Sequence, residues 1–254
     1  MRLVGFSTGA LAYSDFRLGL KIVRESHTRA IELSALRENE LAPLVEALST
    51  LSLTEFSYIS VHAPSKYAPA RENELIALLR KVADRKWPIV IHPDAIQDFS
   101  AWQVFKDLLL IENMDKRNRI GRTAKELAEV FKKLPQAKLC FDLGHCRQVD
   151  PTMNESFLIL QQFKGRLGQL HVSEVNSSST HDPLSDASIG AFAKIASLIP
   201  EDIPVILEST VGPDEVHSEI QRARLALPMP ASTNGTAKRE AKPLQNSKTC
   251  SAAI

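Results

Sequence analysis

The sequence predicts an α/β protein whose eight parallel strands close into a (β/α)8 barrel. Eight short β-rich runs recur along the chain, and stretches with helical periodicity lie between them. Successive runs end 20–37 residues apart, which is enough for one strand, one helix and two loops. No glycine-rich G-x-G-x-x-G turn follows the first run, so the open doubly wound sheet is only the alternative prediction.

The predicted elements follow one another in regular order. The strand runs are Leu3–Thr8, Arg29–Ser34, Tyr58–His62, Pro88–His92, Leu108–Glu112, Leu139–Asp142, Leu167–His171 and Val205–Glu208. Apolar residues at helical spacing predict a helix over Glu72–Arg85. A second helix, Thr123–Lys133, opens with the Thr123-x-x-Glu126 pattern of a capping box. Helical connections between strands imply right-handed crossovers and a parallel sheet.

Domain organisation follows from an abrupt change of composition near the end of the chain. Residues 1–227 are predicted to form one barrel domain, in which Pro213–Leu227 supplies a final short helix. Residues 228–254 are rich in Ser, Thr, Lys, Ala and Asn and lack periodic apolar residues. We therefore predict that they form a disordered tail.

Composition and charge narrow the functional classes. The 254 residues are 44% hydrophobic and 24% charged, and 31 Lys and Arg balance 30 Asp and Glu. No apolar run reaches the roughly 18–20 residues of a membrane span, which predicts no membrane association. A net charge of +1 gives no global attraction for nucleic acid, although a local basic patch stays open as an alternative.

Cysteine usage indicates a reducing compartment. Cys140, Cys146 and Cys250 are too few and too irregularly spaced for a disulfide framework or a thiolate zinc site. A cytoplasmic location is the simplest interpretation. The first twelve residues partly imitate a secretory signal, but Ser7, Thr8 and Gly9 interrupt their apolar stretch.

The chemistry-bearing residues lie where a barrel places its active site, at the carboxyl ends of the strands. Runs three to eight end, in order, with His62, His92, Glu112, Asp142, His171 and Glu208. One such residue alone is often a hydrogen-bonded loop anchor. Six imidazoles and carboxylates at one barrel mouth would repel one another or stay unsatisfied without a cation. The set therefore predicts a divalent metal, and its mixed N and O ligands suit Mn, Co, Mg, Fe or Zn.

The order of several short motifs adds a resemblance to a known family. The motifs are Val61-His62-Ala63-Pro64, Ile91-His92-Pro93, Ile111-Glu112-Asn113, Phe141-Asp142-Leu143-Gly144-His145, Leu170-His171-Val172-Ser173-Glu174 and Leu207-Glu208-Ser209. Over roughly residues 1–225 the chain resembles the xylose isomerase-like TIM barrels. These include endonuclease IV, hydroxypyruvate isomerase, ketose 3-epimerases and many sugar-phosphate isomerases and epimerases.

The resemblance implies first a metal-dependent isomerase or epimerase. In the similar enzymes one divalent metal is held by the residues that match Glu112, Asp142, His171 and Glu208. The matches of Glu112 and Glu208 also move a proton on and off a carbon beside the carbonyl, through an enediolate. The implied substrate is a small sugar, a sugar phosphate or a related hydroxy-carbonyl compound.

Substrate-binding residues are implied in the same way. Glu174 matches the H-x-x-E motif. Glu32 matches a strand-two Glu that orients substrate, with a structural hydrogen bond as the equal alternative. The Arg that usually follows H-x-x-E is missing from Val175–Thr180. Lys66, Arg147 and the basic loop Lys116-Arg117-Asn118-Arg119 are candidates to hold a substrate phosphate, with a solvated loop face as the alternative.

Endonuclease IV carries the second hypothesis, a zinc-dependent phosphoesterase. Four further histidines occupy positions comparable to ligands of its trinuclear cluster, namely His62, His92, His145 and His181. A second metal would use His62, His92 and Glu112. The Asp-x-His pair of the third site becomes Ser179-Thr180-His181, so that site lacks a ligand unless Asp182 replaces it.

Three further expectations complete the sequence-based account. A barrel that binds a metal or ligand without catalysis is the third hypothesis. No connection is obviously expanded to enter DNA grooves, so a small molecule is the expected partner rather than nucleic acid. The resemblance also implies a homodimer, because dimers are common among the similar proteins.

Overall fold

A closed barrel of eight parallel strands organises the chain. The computed structural model describes residues 2–13 and 15–228, so the predicted tail beyond Pro228, with Cys250, lies outside the described residues. The strands are β1 (Val4–Ser7), β2 (Ala30–Ser34), β3 (Tyr58–His62), β4 (Ile89–Ile91), β5 (Leu109–Glu112), β6 (Lys138–Asp142), β7 (Leu167–Val172), β8 (Glu174–Val175), β9 (His181–Asp182) and β10 (Val205–Leu207). The barrel order is β1-β10-β7-β6-β5-β4-β3-β2, and β8 and β9 form a separate antiparallel hairpin.

Helices connect the barrel strands. The α-helices of the described residues are α1 (Thr8–Ala12), α2 (Phe16–Glu25), α3 (Glu38–Ala47), α4 (Glu72–Ala83), α5 (Phe99–Trp102), α6 (Ala124–Lys133), α7 (Leu143–Val149), α8 (Asn154–Phe163), α9 (Asp186–Ala193) and α10 (Val216–Ala226). Short 3-10 helices cover Pro69–Arg71, Gln103–Leu108, Lys164–Arg166, Ala196–Leu198 and Pro213–Glu215. Within residues 2–13 and 15–228, no helix is long and apolar enough to cross a membrane.

The predicted barrel is confirmed, and the open sheet is wrong. Each predicted strand agrees with an observed barrel strand to within one residue at either end. His92 and Glu208 each lie one residue beyond a strand rather than ending it. The β8–β9 hairpin was not predicted, because its two-residue strands lie in a serine-rich stretch without alternating apolar residues.

The predicted helices are confirmed with small changes at their ends. The helix predicted over Glu72–Arg85 ends at Ala83, and the Pro213–Leu227 segment forms a 3-10 turn followed by α10. Thr123 caps α6 by accepting a hydrogen bond from the backbone N–H of Glu126 at 3.2 Å. The Glu126 carboxylate instead accepts from the backbone N–H of Arg122 at 2.8 Å, so only half of the predicted capping box forms.

The barrel packs tightly where two strands leave no room for a side chain. A methyl group added to Gly5 in β1 would lie 1.8 Å from the carbonyl oxygen of Ala30 in β2. Such an approach requires the backbone to shift, and overpacking of this kind costs about 1–3 kcal/mol. Gly5 therefore fixes how closely β1 and β2 approach each other.

We expect the variant Gly5→Ala to lower the free energy of unfolding by at least about 1–3 kcal/mol. The matched control is Gly190→Ala in α9, where a methyl group would meet no atom within 4 Å. That control should be neutral or raise stability by about 0.4–1 kcal/mol. Urea denaturation of both variants measures the difference, and equal effects would contradict the close approach at Gly5.

Candidate metal centre

Six predicted site residues meet at one end of the barrel. His62, Glu112 and Asp142 end β3, β5 and β6, and His171 lies next to last in β7. Because the strands are parallel and in register, Asp142 pairs with His171 across β6 and β7. The turns after β4 and β10 add His92 and Glu208. The structure thus brings these six side chains together at one barrel mouth.

Glu112 lies at the centre of this cluster, and its side chain is 1% exposed. One carboxylate oxygen, Oε2, lies 3.1 Å from His62 Nε2 and 3.3 Å from His92 Nε2. The other, Oε1, lies 3.3 Å from both His145 Nδ1 and His171 Nδ1. Each oxygen thus faces its own pair of imidazole nitrogens.

Three groups of side chains could hold a metal ion. Within each group, one ligand atom per residue lies within 4.8 Å of the others. The groups are Glu112, Asp142, His171 and Glu208; His62, His92 and Glu112; and Asp142, His145 and His181. Glu112 is shared by two groups, and Asp142 also by two. The two groups without Glu208 contain the four histidines that the resemblance to endonuclease IV indicated.

Unpaired buried atoms test whether these residues fit a metal. Asp142 Oδ2 and His171 Nδ1 are buried and have no hydrogen-bond partner among the described residues. Both atoms belong to the four-residue group. Burying a polar atom without a partner costs about 1–3 kcal/mol, so a cation there would remove the cost. The donor set of carboxylate oxygens and imidazole nitrogens fits a divalent ion.

Asp142 is held by local structure that its sequence neighbours dictate. It is the N-cap of α7, where its Oδ1 accepts the backbone N–H of His145 at 2.6 Å, leaving Oδ2 for a ligand. Asn113, in the loop just after β5, accepts the backbone N–H of Asp142 at 2.7 Å and donates to its C=O at 2.9 Å. Gly144 is required because a methyl group there would lie 2.6 Å from the Ser173 carbonyl oxygen.

His171 is supported from inside the barrel. Its Nε2 lies 3.2 Å from Oε2 of Glu32, while its Nδ1 faces the carboxylates of Glu112 and Glu208. Gln169 Nε2 donates to the same Glu32 oxygen at 2.7 Å and lies 2.8 Å from His171 Nε2. A metal ligand at Nδ1 requires the ring proton on Nε2, and the Glu32 carboxylate favours that tautomer.

Protons on neighbouring histidines balance the negative charge of the buried carboxylates in this cluster. Burial opposes the charge of Glu112, yet His171 and His92 hold its pKa well below the ordinary value. Burial likewise opposes protonation of His62, but Glu112 raises the pKa of His62 to about 9. His145 behaves similarly, since Asp142 and Glu112 raise its pKa to about 10 against burial. At neutral pH these imidazoles carry protons that a metal would displace.

Two other residues at the barrel mouth have pKa values that shift in the opposite direction, since that of a histidine falls and that of a glutamate rises. Burial and the neighbouring His145 lower the pKa of His181 to about 3. Burial raises the pKa of Glu208 to about 8, and Glu112 and Asp142 act in the same direction. His181 therefore offers a neutral imidazole.

A cavity of about 390 Å³ opens above the cluster. Its charged and polar wall comprises Lys66, Arg117 and Asn118 together with Asp94 and Asp115, and its floor includes Glu112 and Glu208. Arg117 is fixed by Asp115, whose Oδ2 lies 2.7 Å from the guanidinium. Of the basic residues proposed to hold a phosphate, Lys66 and Arg117 thus reach the cavity wall.

Three implied substrate-binding residues lie elsewhere. Arg147 forms an ion pair with Glu174 at 3.0 Å, and neither residue lines the cavity. Glu174 also accepts the backbone N–H of Ser185, which ties the β8–β9 hairpin to the start of α9. Glu32 is fully buried below His171 and does not reach the cavity. Their positions fit the support of other site residues rather than contact with substrate.

Sequence reasoning missed the supporting residues Gln169 and Ser60, which both bond to Glu32. A signal was present, since each lies two residues before a site histidine and therefore on the same face of its strand. Asn113 and the cavity residues Asp94 and Asp115 were also missed. They lie in loops, where no periodicity indicates which side chains turn inward.

Comparison with solved structures agrees with the barrel. Over 89% of this chain and 98% of the other, the fold matches a xylose isomerase domain protein from Alicyclobacillus acidocaldarius, with a TM-score of 0.65 and 11% identity. Endonuclease IV from Thermus thermophilus matches over 88% and 98% of the two chains, with a TM-score of 0.59 and 18% identity. A 3-keto-D-glucoside 4-epimerase from E. coli matches over 89% of this chain and 99% of its own, with a TM-score of 0.58 and 12% identity.

These likenesses establish the xylose isomerase-like TIM barrel fold, as the motifs predicted. No protein-family model matches the chain, and a search of curated proteins found no match either.

The support of His171 gives a first prediction for the site. We expect Glu32→Gln to weaken metal binding about 10–100-fold, because the His171 tautomer loses its carboxylate partner. The matched control is Glu72→Gln, a buried carboxylate that accepts the Trp102 Nε1–H at 2.8 Å and belongs to none of the three groups. Titration calorimetry with Mn²⁺ measures both affinities. An unchanged affinity in Glu32→Gln, or an equal loss in the control, would contradict this role.

Protonation of the ligands gives a second prediction. The pKa of His62 is raised to about 9 by Glu112, and nearby carboxylates raise the pKa of His171 well above its ordinary value, so both ligands are protonated at pH 7 in the metal-free chain. Metal binding at pH 7 should then release about two protons or more, and the apparent Kd should fall as pH rises toward these values. Calorimetry in buffers of different ionisation enthalpy counts the protons. A pH-independent Kd would contradict the proton-compensated cluster.

Proposed function

We propose that this protein is a divalent-metal-dependent phosphoester hydrolase that acts on small phosphate esters. The observation that carries the proposal is the position of Glu112, whose two carboxylate oxygens each face a separate pair of imidazoles at 3.1–3.3 Å. Because Glu112 belongs to two of the groups that could hold a metal, it is suited to join two ions. Sites with two adjacent ions are typical of phosphoester hydrolysis.

The same geometry disfavours Glu112 as a free proton-transfer base. Glu112 reaches the floor of the cavity, but its carboxylate is only 1% exposed and both oxygens are directed at histidines, whereas a base needs an oxygen free to take the substrate proton. His62 and His92 also have no task in an isomerase that uses only the four-residue group. A hydrolase with two ions uses all of these side chains.

The chain's own residues supply the rest of the chemistry. His62, His92 and Glu112 would hold one ion, and Asp142, His171 and Glu208 with Glu112 would hold another. When bound, such ions polarise a phosphoryl oxygen and lower the pKa of a water molecule. Lys66 and Arg117 on the cavity wall offer cationic donors for the remaining phosphate oxygens.

The cavity supports a small substrate rather than a duplex. Its volume of about 390 Å³ suits a small molecule, and the net charge of +1 gives no attraction for polyanions. The resemblance in fold to an endonuclease IV is compatible with phosphoester chemistry.

One observation favours a second candidate, the isomerase or epimerase of a small sugar or sugar phosphate. The four-residue group is complete, and Glu112 Oε1 and Glu208 Oε2 lie 3.3 and 3.5 Å from His171 Nδ1. One ion held there would leave the Glu208 carboxylate, which is 13% exposed, beside the cavity as a proton-transfer group. This candidate assigns no role to His62 and His92.

Hydrolysis by the metal-loaded chain tests the proposal. We expect release of p-nitrophenol from p-nitrophenyl phosphate or its diester, with kcat lowered about 100-fold or more in His92→Ala. His92 is chosen because it belongs only to the group with His62 and Glu112. The control is Gln161→Ala on the outer face of α8, which should keep full activity.

Two outcomes would contradict the hydrolase. One is an absence of hydrolysis with Mn, Co, Fe or Zn in excess. The other is deuterium exchange from D2O into a ketose or sugar phosphate that persists in His92→Ala and disappears in Glu208→Gln. The second outcome would establish the isomerase or epimerase in its place.

A further inference from the structure

A second cavity lies where the barrel strands begin, away from the metal centre. It has a volume of about 300 Å³ and is bordered by the starts of β1 and β2 and by α10. Its wall carries three arginines and two histidines, which are Arg2, Arg29, Arg224, His27 and His217. No Asp or Glu is among the described residues that line it. We propose that this cavity binds a phosphate group of a small molecule, independently of the metal centre.

Arg2 distinguishes this cavity from an ordinary basic surface. The residue is only 7% exposed, and its Nη2 donates to the carbonyl oxygen of Ile199 at 3.3 Å. Its Nε and Nη1 are buried and have no hydrogen-bond partner among residues 2–13 and 15–228. A buried guanidinium with two unpaired donors is costly. An anion in the cavity that Arg2 lines would supply the counter-charge that this buried guanidinium lacks.

The acidic residues that attract Arg2 do not form an ion pair with its guanidinium among the described residues. Glu201 and Asp202 attract the guanidinium electrostatically, but neither lines the cavity. Neither forms an ion pair with Arg2 within 4.0 Å in the part of the chain that the structure describes. Arg29, just before β2, and Arg224, in α10, are exposed and also line the cavity, so its described lining carries positive charge without a carboxylate.

The donor chemistry favours phosphate over a carboxylate. Guanidinium groups bind phosphate through paired N–H donors, and several arginines around one anion match its several oxygens. The hydroxyl of Thr28 adds a neutral donor to the wall. The apolar side chains of Leu3 and Ile220 leave a surface against which the organic part of a phosphate ester would pack.

Binding of inorganic phosphate to the full chain tests the proposal. We expect saturable binding that Arg2→Gln weakens about tenfold, as expected for a lost charged hydrogen bond. Arg2→Lys, which keeps the charge but not the paired donors, should retain part of the affinity. Gln161→Ala, on the outer face of α8 and away from both cavities, should leave this binding unchanged. Calorimetry measures each Kd.

A site-resolved measurement keeps the test decisive if Arg2→Gln fails to fold. Phosphate should shift the NMR signals of the His27 and His217 imidazoles with the same Kd, and exposed Arg224→Gln should weaken that shift. Unmoved histidine signals, an unchanged Kd in Arg224→Gln, or equally tight binding of acetate would each overturn the proposal. Titrating inorganic phosphate and glycerol phosphate separately, and following the same histidine signals, then shows whether the cavity prefers free phosphate or a phosphate ester.

Discussion

The buried carboxylate of Glu112 is the constraint on which the barrel mouth depends. An anion with 1% exposure needs positive charge around it, and four histidines supply nitrogens within 3.3 Å of its two oxygens. Without a metal, the raised pKa values of His62, His145 and His171 provide that charge as protons. With a metal bound, His62, His92 and His171 would offer ligand nitrogens in the groups that contain Glu112. The cluster thus suits positive charge in either state, and Glu112 belongs to two of the groups that could each hold a metal ion.

A polar layer inside the barrel follows from the same constraint. Barrel interiors are usually filled by branched apolar side chains, yet here Glu32, Ser60 and Gln169 are buried below His171. They form one connected network, to which Tyr58 adds a hydrogen bond to Gln169 at 2.7 Å. Each member orients the next, and the network ends at the His171 ring. Replacing this layer by apolar residues would leave His171 without a partner for Nε2.

Much of the fold and part of the site could be predicted from the sequence. Local periodicity located every barrel strand, and parallel strands necessarily bring residues such as Glu112, Asp142 and His171 to one end. The roles of Glu32, Arg147 and Glu174 could not be read in this way. Glu32 contacts Gln169 and His171 across 137 and 139 residues, and Arg147 meets Glu174 only because of the unpredicted hairpin. Such pairs depend on how distant loops and strands pack, which no local pattern encodes.

Metal content per chain distinguishes the two ions proposed to share Glu112 from a single ion. Plasma mass spectrometry on protein purified without a metal-binding tag should find at least two divalent ions per chain. In His92→Ala the content should fall by one while the ion at Asp142, His171 and Glu208 is retained. A single ion per chain whose amount does not change in His92→Ala would contradict the sharing of Glu112 by two ions and would favour the one-metal isomerase.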